Sequence, residues 1–181
     1  VLFDADRDRS RVVEPGYVPG ARTRSEWVAG SASERTAWAV GVDAFGPTAR
    51  HVAFRTALRD GARERIAREL TPAADGMLRV RIRATTAAEV PVELAVTLSD
   101  GSAWGTTVRA TSGGSVIDVP LRSLTRVPLV LIPRPYPTFL PYDLLARATG
   151  TAALDLRAIE GVQWGFARGT TMPDEGAMRV E

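Results

Sequence analysis

Apolar and polar residues alternate along most of this chain, and this pattern predicts β-strands with one buried and one solvated face. The clearest case is Leu78-Arg79-Val80-Arg81-Ile82-Arg83-Ala84, where apolar side chains share one face and arginines share the other. Similar runs cover residues 37–45, 90–98, 104–110, 115–121, 129–132, 162–166 and 178–181. The chain therefore reads mainly as short strands.

Turn signals separate these runs about every ten residues. Ser99-Asp100-Gly101-Ser102 and Ser112-Gly113-Gly114 are typical of hairpin connections. Many short strands at this spacing favour an all-β fold, an antiparallel β-sandwich of jelly-roll type. We expect residues 1–181 to form one such domain, excised from a larger multidomain protein, since the chain begins at Val1 without a methionine.

Residues 50–70 leave two alternatives open. The run Arg63-Glu64-Arg65-Ile66-Ala67-Arg68-Glu69-Leu70 contains good helix formers and possible i,i+4 charge pairs. Asp60-Gly61, however, is suited to a hairpin turn. We favour two β-strands over a helix here. Further on, residues 153–161 resemble a single helical turn that ends on Gly161.

One segment, residues 130–143, departs from the strand pattern. It contains Pro133, Pro135, Pro137 and Pro141 together with Tyr136, Phe139 and Tyr142. Proline fixes φ and removes a backbone donor, so this segment is neither a helix interior nor a central strand. It is predicted to be a stiff loop bearing aromatic side chains, which suits either a ligand-binding surface or a lid over one end of the core.

The amino-acid composition excludes several classes of function. There is no cysteine, which excludes disulfides, thiolate metal sites and cysteine catalysis. All 23 basic residues are arginine, a bias that favours a GC-rich, actinobacterial genome as the source. The net charge is only +2 because 21 acids accompany the arginines, so we expect no nucleic-acid partner. No apolar run has the roughly 18 residues that a membrane span requires.

Catalytic chemistry has little support. His51 is the single histidine, and it has neither a metal-ligand partner at the right spacing nor a GxSxG elbow elsewhere. A pair of carboxylates would suffice for glycoside hydrolysis, but the acids lie mainly in turns or beside arginines. A small glycoside hydrolase or lyase is therefore a minor alternative, and we expect that the domain is not an enzyme by itself.

The acids near the two ends of the chain permit a calcium site. Calcium takes several oxygen ligands from carboxylates and carbonyls. First and last strands often lie side by side in a sandwich, so Asp4 or Asp6 is expected to share an ion with Glu181. The spacing of Asp4, Asp6 and Asp8 imitates the start of an EF-hand loop but lacks its glycine and its terminal glutamate.

The tryptophans are predicted to have different environments. Trp164 shares a face with Val162 and Phe166, which favours the core and turns Gln163 to the opposite face. Trp104, at the edge of a hairpin, is either an edge-strand packing residue or an exposed platform. Trp27, in a polar context, is the tryptophan we expect to be most exposed.

The order of features resembles the galactose-binding-like β-jelly-roll accessory domains of polysaccharide-degrading enzymes. The segments that carry the resemblance are Leu2-Phe3-Asp4, residues 78–84, Val92-Glu93-Leu94-Ala95-Val96, residues 116–124 and residues 154–166. In such modules the concave face or the loops at one end bind glycan, and a structural calcium ion is frequent. The resemblance implies a secreted protein with a polysaccharide or oligosaccharide ligand and a neighbouring catalytic domain.

The expected function is thus non-catalytic carbohydrate binding. Sugar rings would stack on Tyr136, Tyr142, Trp104 or Trp27, while Arg134, Asp143 and Gln163 would hydrogen-bond hydroxyl groups. The alternative is a structural accessory domain in which the proline-rich segment packs against a neighbouring catalytic domain.

Overall fold

The computed structural model describes residues 4–13, 21–29, 37–45, 52–58, 60–69, 76–84, 89–130, 143–144, 154–166 and 176–180. Its helices are α1 (Ala5–Asp8) and α2 (Ala62–Glu69), with single 3-10 turns at Arg9–Arg11, Leu121–Ser123 and Leu156–Ala158. Its strands are β1 (Val12–Val13), β2 (Ala21–Val28), β3 (Ala37–Phe45), β4 (Val52–Ala57), β5 (Met77–Ala84), β6 (Val90–Leu98), β7 (Ala103–Ala110), β8 (Ser115–Pro120), β9 (Thr125–Val127), β10 (Leu129–Val130), β11 (Asp143–Leu144), β12 (Ile159–Phe166) and β13 (Gly176–Val180).

The strands form two main antiparallel sheets. A six-stranded sheet has the order β1-β4-β12-β6-β7-β9, and a five-stranded sheet has the order β2-β3-β13-β5-β8. Strands β10 and β11 make a separate two-stranded ribbon. Neighbours in each sheet are mostly distant in sequence, as expected of a jelly roll. The prediction of an antiparallel β-sandwich of jelly-roll type is confirmed.

The core lies between the inner faces of the two sheets. Trp164, Phe54 and Phe166 are its largest fully buried side chains, and Ile82 and Val119 reach it from the five-stranded sheet. Residues at alternate positions of β12 point inward, which confirms the prediction that Trp164 belongs to the core. Burial of such side chains is worth roughly 1.5–3 kcal/mol each and is the main force holding the sheets together.

Residues 50–70 differ from the favoured prediction of two strands. The first half is strand β4, as expected, but residues 62–69 form helix α2. Gly61 adopts a positive φ of 72° and leads into the helix rather than turning a hairpin. Ala62 and Ile66, four residues apart, are both buried, whereas Glu64 between them is exposed. A strand would place Glu64 on the same side as these two apolar residues, and the helix does not.

Of the two predicted hairpins, only the one at Ser99-Asp100-Gly101-Ser102 is confirmed: it joins the paired strands β6 and β7, and Gly101 has the positive φ, 80°, that such a turn can require. The hairpin predicted at Ser112-Gly113-Gly114 is wrong, because β7 pairs with β6 and β9 whereas β8 pairs with β5, so this turn, with Gly114 at a φ of 76°, crosses from one sheet to the other.

Other local predictions are confirmed. The alternation of residues 78–84 appears as β5, with Ile82 and Ala84 buried and Arg79 and Arg81 exposed. The expected helical turn before β12 is the 3-10 turn Leu156–Ala158, which Asp155 caps by accepting the backbone N–H of Arg157 at 2.9 Å.

Candidate functional site

The outer face of the six-stranded sheet is the most unusual surface of the sandwich. On β12, Val162, Trp164 and Phe166 enter the core, so Gly161, Gln163 and Gly165 lie on the opposite face. The register places Arg55 and Ala95 on either side of Gln163. We call this surface the outer face; its other members on the central strands are Ala53, Glu93, Thr97, Ala103, Gly105 and Thr107.

Three glycines leave the centre of the outer face without protruding side chains. A Cβ added at Gly105 would lie 2.5 Å from the carbonyl oxygen of Leu94, and one at Gly161 would lie 2.6 Å from that of Thr56. At Gly165 the added carbon would overlap the carbonyl oxygen of Val52. These positions have no room for a side chain, so the strands approach one another closely and leave a shallow floor.

Several polar side chains belong to this floor, although they are buried from solvent. Gln163 is 1% exposed, Thr97 is 0% exposed and Glu93 is 6% exposed. Burial of polar groups is costly unless hydrogen bonds compensate. The amide nitrogen of Gln163 donates to the carbonyl oxygen of Pro128 at 3.0 Å. A polar row of buried side chains therefore crosses the middle of the sheet.

Arg55 extends this polar row toward β4. Its guanidinium lies 3.7 Å from the carboxylate of Glu160, and its side chain keeps about a quarter of its surface exposed. Burial lowers the pKa of Arg55 from its usual value, and the nearby Glu160 charge works in the opposite direction. Arg55 stays charged at neutral pH and supplies a cationic hydrogen-bond donor at the margin of the floor.

The chain covers the outer face with its own return segment. Strand β9 is the edge strand, and three strand steps separate it from β12, about 14 Å on a flat sheet. Because Pro128 follows β9 directly and contacts Gln163, the chain after β9 folds back over the outer face. Leu129 then packs against Ala95 and Ala103 in a small buried cluster.

This return segment leads into the β10–β11 ribbon. Leu129 pairs with Leu144, and Val130 pairs with Asp143. The ribbon therefore brings the backbone of Asp143 to the same side of the sandwich as Gln163, so two of the sequence-predicted ligand residues lie in one region. Arg134, Tyr136 and Tyr142 belong to the chain between the two ribbon strands and lie outside the described residues.

Trp104 does not have the exposure that a stacking platform needs. It is 8% exposed, packs in the main core, and lies under the guanidinium of Arg126 at 5.6 Å from the ring centroid. Its register opposite Val96 directs it into the sandwich. Trp104 is therefore a packing residue, although its strand β7 lies between β6 and β9 and is not an edge strand, and the expectation of an exposed ring is wrong.

Trp27 is also less exposed than predicted. It lies on β2, is half-buried against the core, and has the guanidinium of Arg9 at 5.3 Å from its ring centroid. The cation–π contact and the inward register explain why its polar sequence context misled the prediction. Trp27 belongs to the five-stranded sheet, so the structure does not bring it together with Gln163.

The premise of the predicted calcium site is not met. The first strand, β1, belongs to the six-stranded sheet and the last, β13, to the five-stranded sheet, so they are not neighbours. A carboxylate oxygen of buried Asp8 accepts the backbone N–H of Asp4 at 2.8 Å. Within the described part of the chain, no three acidic or histidine side chains group as metal ligands. The side chain of Asp6 and all of Glu181 lie outside the described residues.

Sequence reasoning missed Glu93, Thr97, Arg55 and Pro128. A signal for the first two was present, because Glu93 and Thr97 interrupt an otherwise apolar strand in phase with Ala95. The contact made by Pro128 depends on how the chain turns after β9, and no local pattern encodes that.

Among the described residues, no helix is long and apolar enough to cross a membrane.

Comparisons with known proteins identify the fold. No protein-family model and no curated protein matches the sequence. A family 11 carbohydrate-binding module from Clostridium thermocellum, solved with a β-1,3-1,4-mixed-linked tetrasaccharide, is similar in structure, with a TM-score of 0.59 and 17% identity over 99% of this chain and 90% of that chain. The family 11 module of a cellulosomal cellulase from the same organism has a TM-score of 0.60 and 17% identity over 100% of this chain and 90% of that chain.

Two agarases contain a similar domain within much longer chains. One has a TM-score of 0.54 and 12% identity over 99% of this chain and 25% of the agarase. The other, an exo-β-agarase, has a TM-score of 0.51 and 14% identity over 99% of this chain and 23% of that chain. At these identities the likeness establishes the fold: this chain has the β-sandwich jelly roll that occurs in carbohydrate-binding modules and in agarases.

Proposed function

We propose that this domain is a non-catalytic carbohydrate-binding module that holds a polysaccharide chain at the outer face, beside the β10–β11 ribbon. One observation carries the proposal. Gln163, predicted from sequence to contact a ligand, touches the segment that leads into the ribbon, and the ribbon anchors both ends of the proline-rich aromatic segment on the same face. The fold shared with family 11 carbohydrate-binding modules supports it.

The chemistry of this region suits a sugar. Sugars present apolar C–H faces and a rim of hydroxyl groups, so a site needs aromatic rings together with donors and acceptors. Arg55 supplies a partly exposed donor at the margin of the floor, whereas the buried amide of Gln163 donates to Pro128 and holds the segment that leads into the ribbon. Tyr136 and Tyr142 are proposed to stack on sugar rings, with Arg134 and Asp143 as hydrogen-bond partners. Each aromatic contact contributes modestly, so affinity for a short oligosaccharide should be modest too.

The wider setting belongs to the same proposal. We place the domain in a secreted glycan-active enzyme, next to a catalytic domain that it helps to hold on its substrate. The agarases support this setting because the matched domain makes up only a quarter of their length. A structural calcium ion remains a prediction that rests on Asp4, Asp6 and Glu181.

Affinity electrophoresis tests the proposal. The wild-type domain would run through gels that contain mixed-linked β-glucan, soluble cellulose derivatives or agarose, the polymers related to the ligands and substrates of the similar structures. We expect retardation by at least one neutral polymer and its loss in Tyr136→Ala or Tyr142→Ala. Absence of retardation on every polymer would contradict the proposal.

A second candidate, a structural accessory domain, is favoured by the cover on the outer face. The chain itself buries Gln163 and Thr97, as expected of a surface committed to packing. In that case no polysaccharide would retard the domain, and the tyrosines of the proline-rich segment would be protected from chemical modification only in the full-length protein.

A further inference from the structure

Arg55 and Glu160, at the margin of the outer face, form an ion pair without a hydrogen bond. The guanidinium of Arg55 lies 3.7 Å from the carboxylate of Glu160, which is too long for a hydrogen bond. Arg79 and Asp118, on the five-stranded sheet, instead make a two-point contact at 2.6 and 2.7 Å. The Arg55–Glu160 pair therefore retains hydrogen-bonding capacity that the Arg79–Asp118 pair uses internally.

The donors of Arg55 are fixed in place and reach the surface. The strand register sets Arg55 between Val13 and Gln163, and its side chain keeps only 24% of its surface exposed. Within the described part of the chain, Glu160 is its one polar side-chain contact. Among the same residues, the buried polar atoms that lack a hydrogen bond include no nitrogen of Arg55, so these nitrogens lie at the exposed part of the side chain. Because burial already restricts its rotamers, Arg55 loses little entropy when it binds a ligand.

A β-bulge in β12 places Glu160 beside Arg55. Ile159 and Gly161 pair with successive residues of β6, so Glu160 between them is an extra residue with no partner on that strand. On the other side, the carbonyl oxygen of Glu160 accepts the backbone N–H of Leu58 at 2.8 Å, which fixes the bulge. Bulges commonly re-aim a side chain next to active sites. Here the bulge adds a carboxylate, 45% exposed, to a face whose regular position, Gly161, has no side chain.

A guanidinium and a carboxylate arranged in this way match two neighbouring hydroxyl groups. The guanidinium only donates hydrogen bonds, the carboxylate only accepts them, and a hydroxyl group does both. One hydroxyl group can accept from Arg55 while its neighbour donates to Glu160, and both hydrogen bonds are strengthened by charge. An acidic sugar fits less well, because its carboxylate is attracted by Arg55 and repelled by Glu160.

We infer that Arg55 and Glu160 recognise a vicinal diol, two hydroxyl groups on adjacent carbon atoms, of a neutral sugar, and that Glu160 excludes acidic polysaccharides from the outer face. The inference rests on the proposed function and deepens it, because it names the residues that select the class of ligand. Selection against acidic polymers requires a repulsive element as well as an attractive one, and Glu160 supplies it.

Three polymers separate the two parts of the inference. Mixed-linked β-glucan is neutral and carries vicinal diols on part of its residues. Polygalacturonate carries vicinal diols together with carboxylates, and agarose has no two free hydroxyl groups on adjacent carbons. In affinity electrophoresis against a polymer-free gel, we expect β-glucan to retard the wild-type domain most. Stronger retardation by agarose or by polygalacturonate would contradict the inference.

Substitutions that remove one charge test the roles of the two residues. Glu160→Gln keeps the shape of the side chain and should weaken β-glucan binding about tenfold. The same variant should gain retardation by polygalacturonate, because Arg55 then attracts carboxylates unopposed. Arg55→Gln should weaken β-glucan binding by a similar factor without that gain. Asp118→Asn is the control: it makes the same charge change beside Arg79 on the other sheet and should alter neither binding.

The outcomes distinguish this inference from the proposed function. No retardation of the wild-type domain in any polymer would contradict both. Wild-type retardation by β-glucan that Glu160→Gln and Arg55→Gln leave unchanged would contradict this inference alone. An equal gain of polygalacturonate binding in Asp118→Asn would show that net charge decides. Thermal unfolding checks that each variant is folded. Arg55→Lys keeps the charge but not the planar fork; it replaces Arg55→Gln if that variant is unfolded and should lose less affinity.

Discussion

The side-chain amide of Gln163 donates to the carbonyl oxygen of Pro128 at 3.0 Å and joins the centre of the six-stranded sheet to the segment that follows its edge strand. The two residues are 35 positions apart in sequence. This hydrogen bond holds the return segment over the outer face, beside the contact of Leu129 with Ala95 and Ala103.

Gln163→Ala should destabilise the domain and loosen the return segment. The substitution removes a buried hydrogen-bond donor, which costs about 1–3 kcal/mol when the partner is left unsatisfied. Urea unfolding measures this cost, and faster amide exchange at Leu129 and Val130 would locate it. Thr107→Ala, at an exposed position of the same face, is the control and should change stability by less than about 0.5 kcal/mol. Equal effects of the two substitutions would show that the hydrogen bond does not hold the segment.

Gly165→Ala should be severely destabilising. The added methyl carbon would overlap the carbonyl oxygen of Val52 and lie 2.7 Å from the Cα of Ala53, both backbone atoms that cannot move independently. We expect a loss of about 3 kcal/mol or more, the upper range for overpacking.

Gly113→Ala provides the comparison for Gly165→Ala. Nothing lies within 4 Å of a Cβ at this turn glycine, and its φ is outside the positive range. It should be neutral, within about 0.5 kcal/mol by thermal unfolding. Similar melting temperatures for the two variants would contradict the tight floor described for the outer face.

Ser102→Ala should change stability in a pH-dependent manner. The Ser102 hydroxyl and backbone N–H donate to Asp100 at 2.6 and 2.9 Å, and these hydrogen bonds lower the pKa of Asp100 below its usual value. A depressed carboxyl pKa stabilises the fold above the unfolded-state value, about 3.9, and that contribution disappears as the pH falls through the folded-state pKa. The stability difference between wild type and variant should thus be largest above about pH 5 and shrink below pH 4.

An NMR titration of the Asp100 carboxyl carbon checks the direction, since its pKa should rise in Ser102→Ala. Ser123→Ala is the matched control: its hydroxyl donates to the carbonyl oxygen of Pro120 at 2.7 Å, an acceptor that does not titrate. Any cost of that substitution should be the same at pH 3.5 and pH 7. A constant difference for Ser102→Ala as well would contradict the proposed linkage.

Trp104→Phe should leave polysaccharide binding unchanged. Because the indole is buried and covered by Arg126, it offers no open ring to a sugar. The substitution should instead cost stability, about 1–3 kcal/mol, through lost packing. Isothermal titration with whichever neutral polymer retards the wild-type domain measures binding. Loss of affinity in a folded Trp104→Phe variant would restore Trp104 as a ligand residue.

Sequence patterns predicted the strands well because alternation reports directly which side of a strand is buried. Residues 78–84 and 162–166 show this, since their apolar positions are the ones that enter the core. The same reasoning failed at residues 62–69, where Ala62 and Ile66 fit both a helix and a less regular strand and the tertiary packing against Leu156–Ala158 decides. Local propensity cannot include that contact.

The candidate site was predictable only in part. The alternation of β12 directed Gln163 away from the core, as the structure shows. Its burial was not predictable, because the cover comes from residues 127–130, more than thirty positions earlier in the chain. Trp27 and Trp104 were misjudged for the same reason: the arginines that cover their rings are distant in sequence. Arg126 is placed by its register opposite Trp104, and Arg9 comes from the 3-10 turn Arg9–Arg11.

The three glycines of the outer face limit which of its positions can vary. Gly105, Gly161 and Gly165 admit no side chain, and Gln163 and Ala95 between them are buried beneath the return segment, so variation should fall on the margin of the face, at Arg55 and Thr107. A laboratory selection for binding at this face should therefore randomise those two positions and leave the three glycines unchanged.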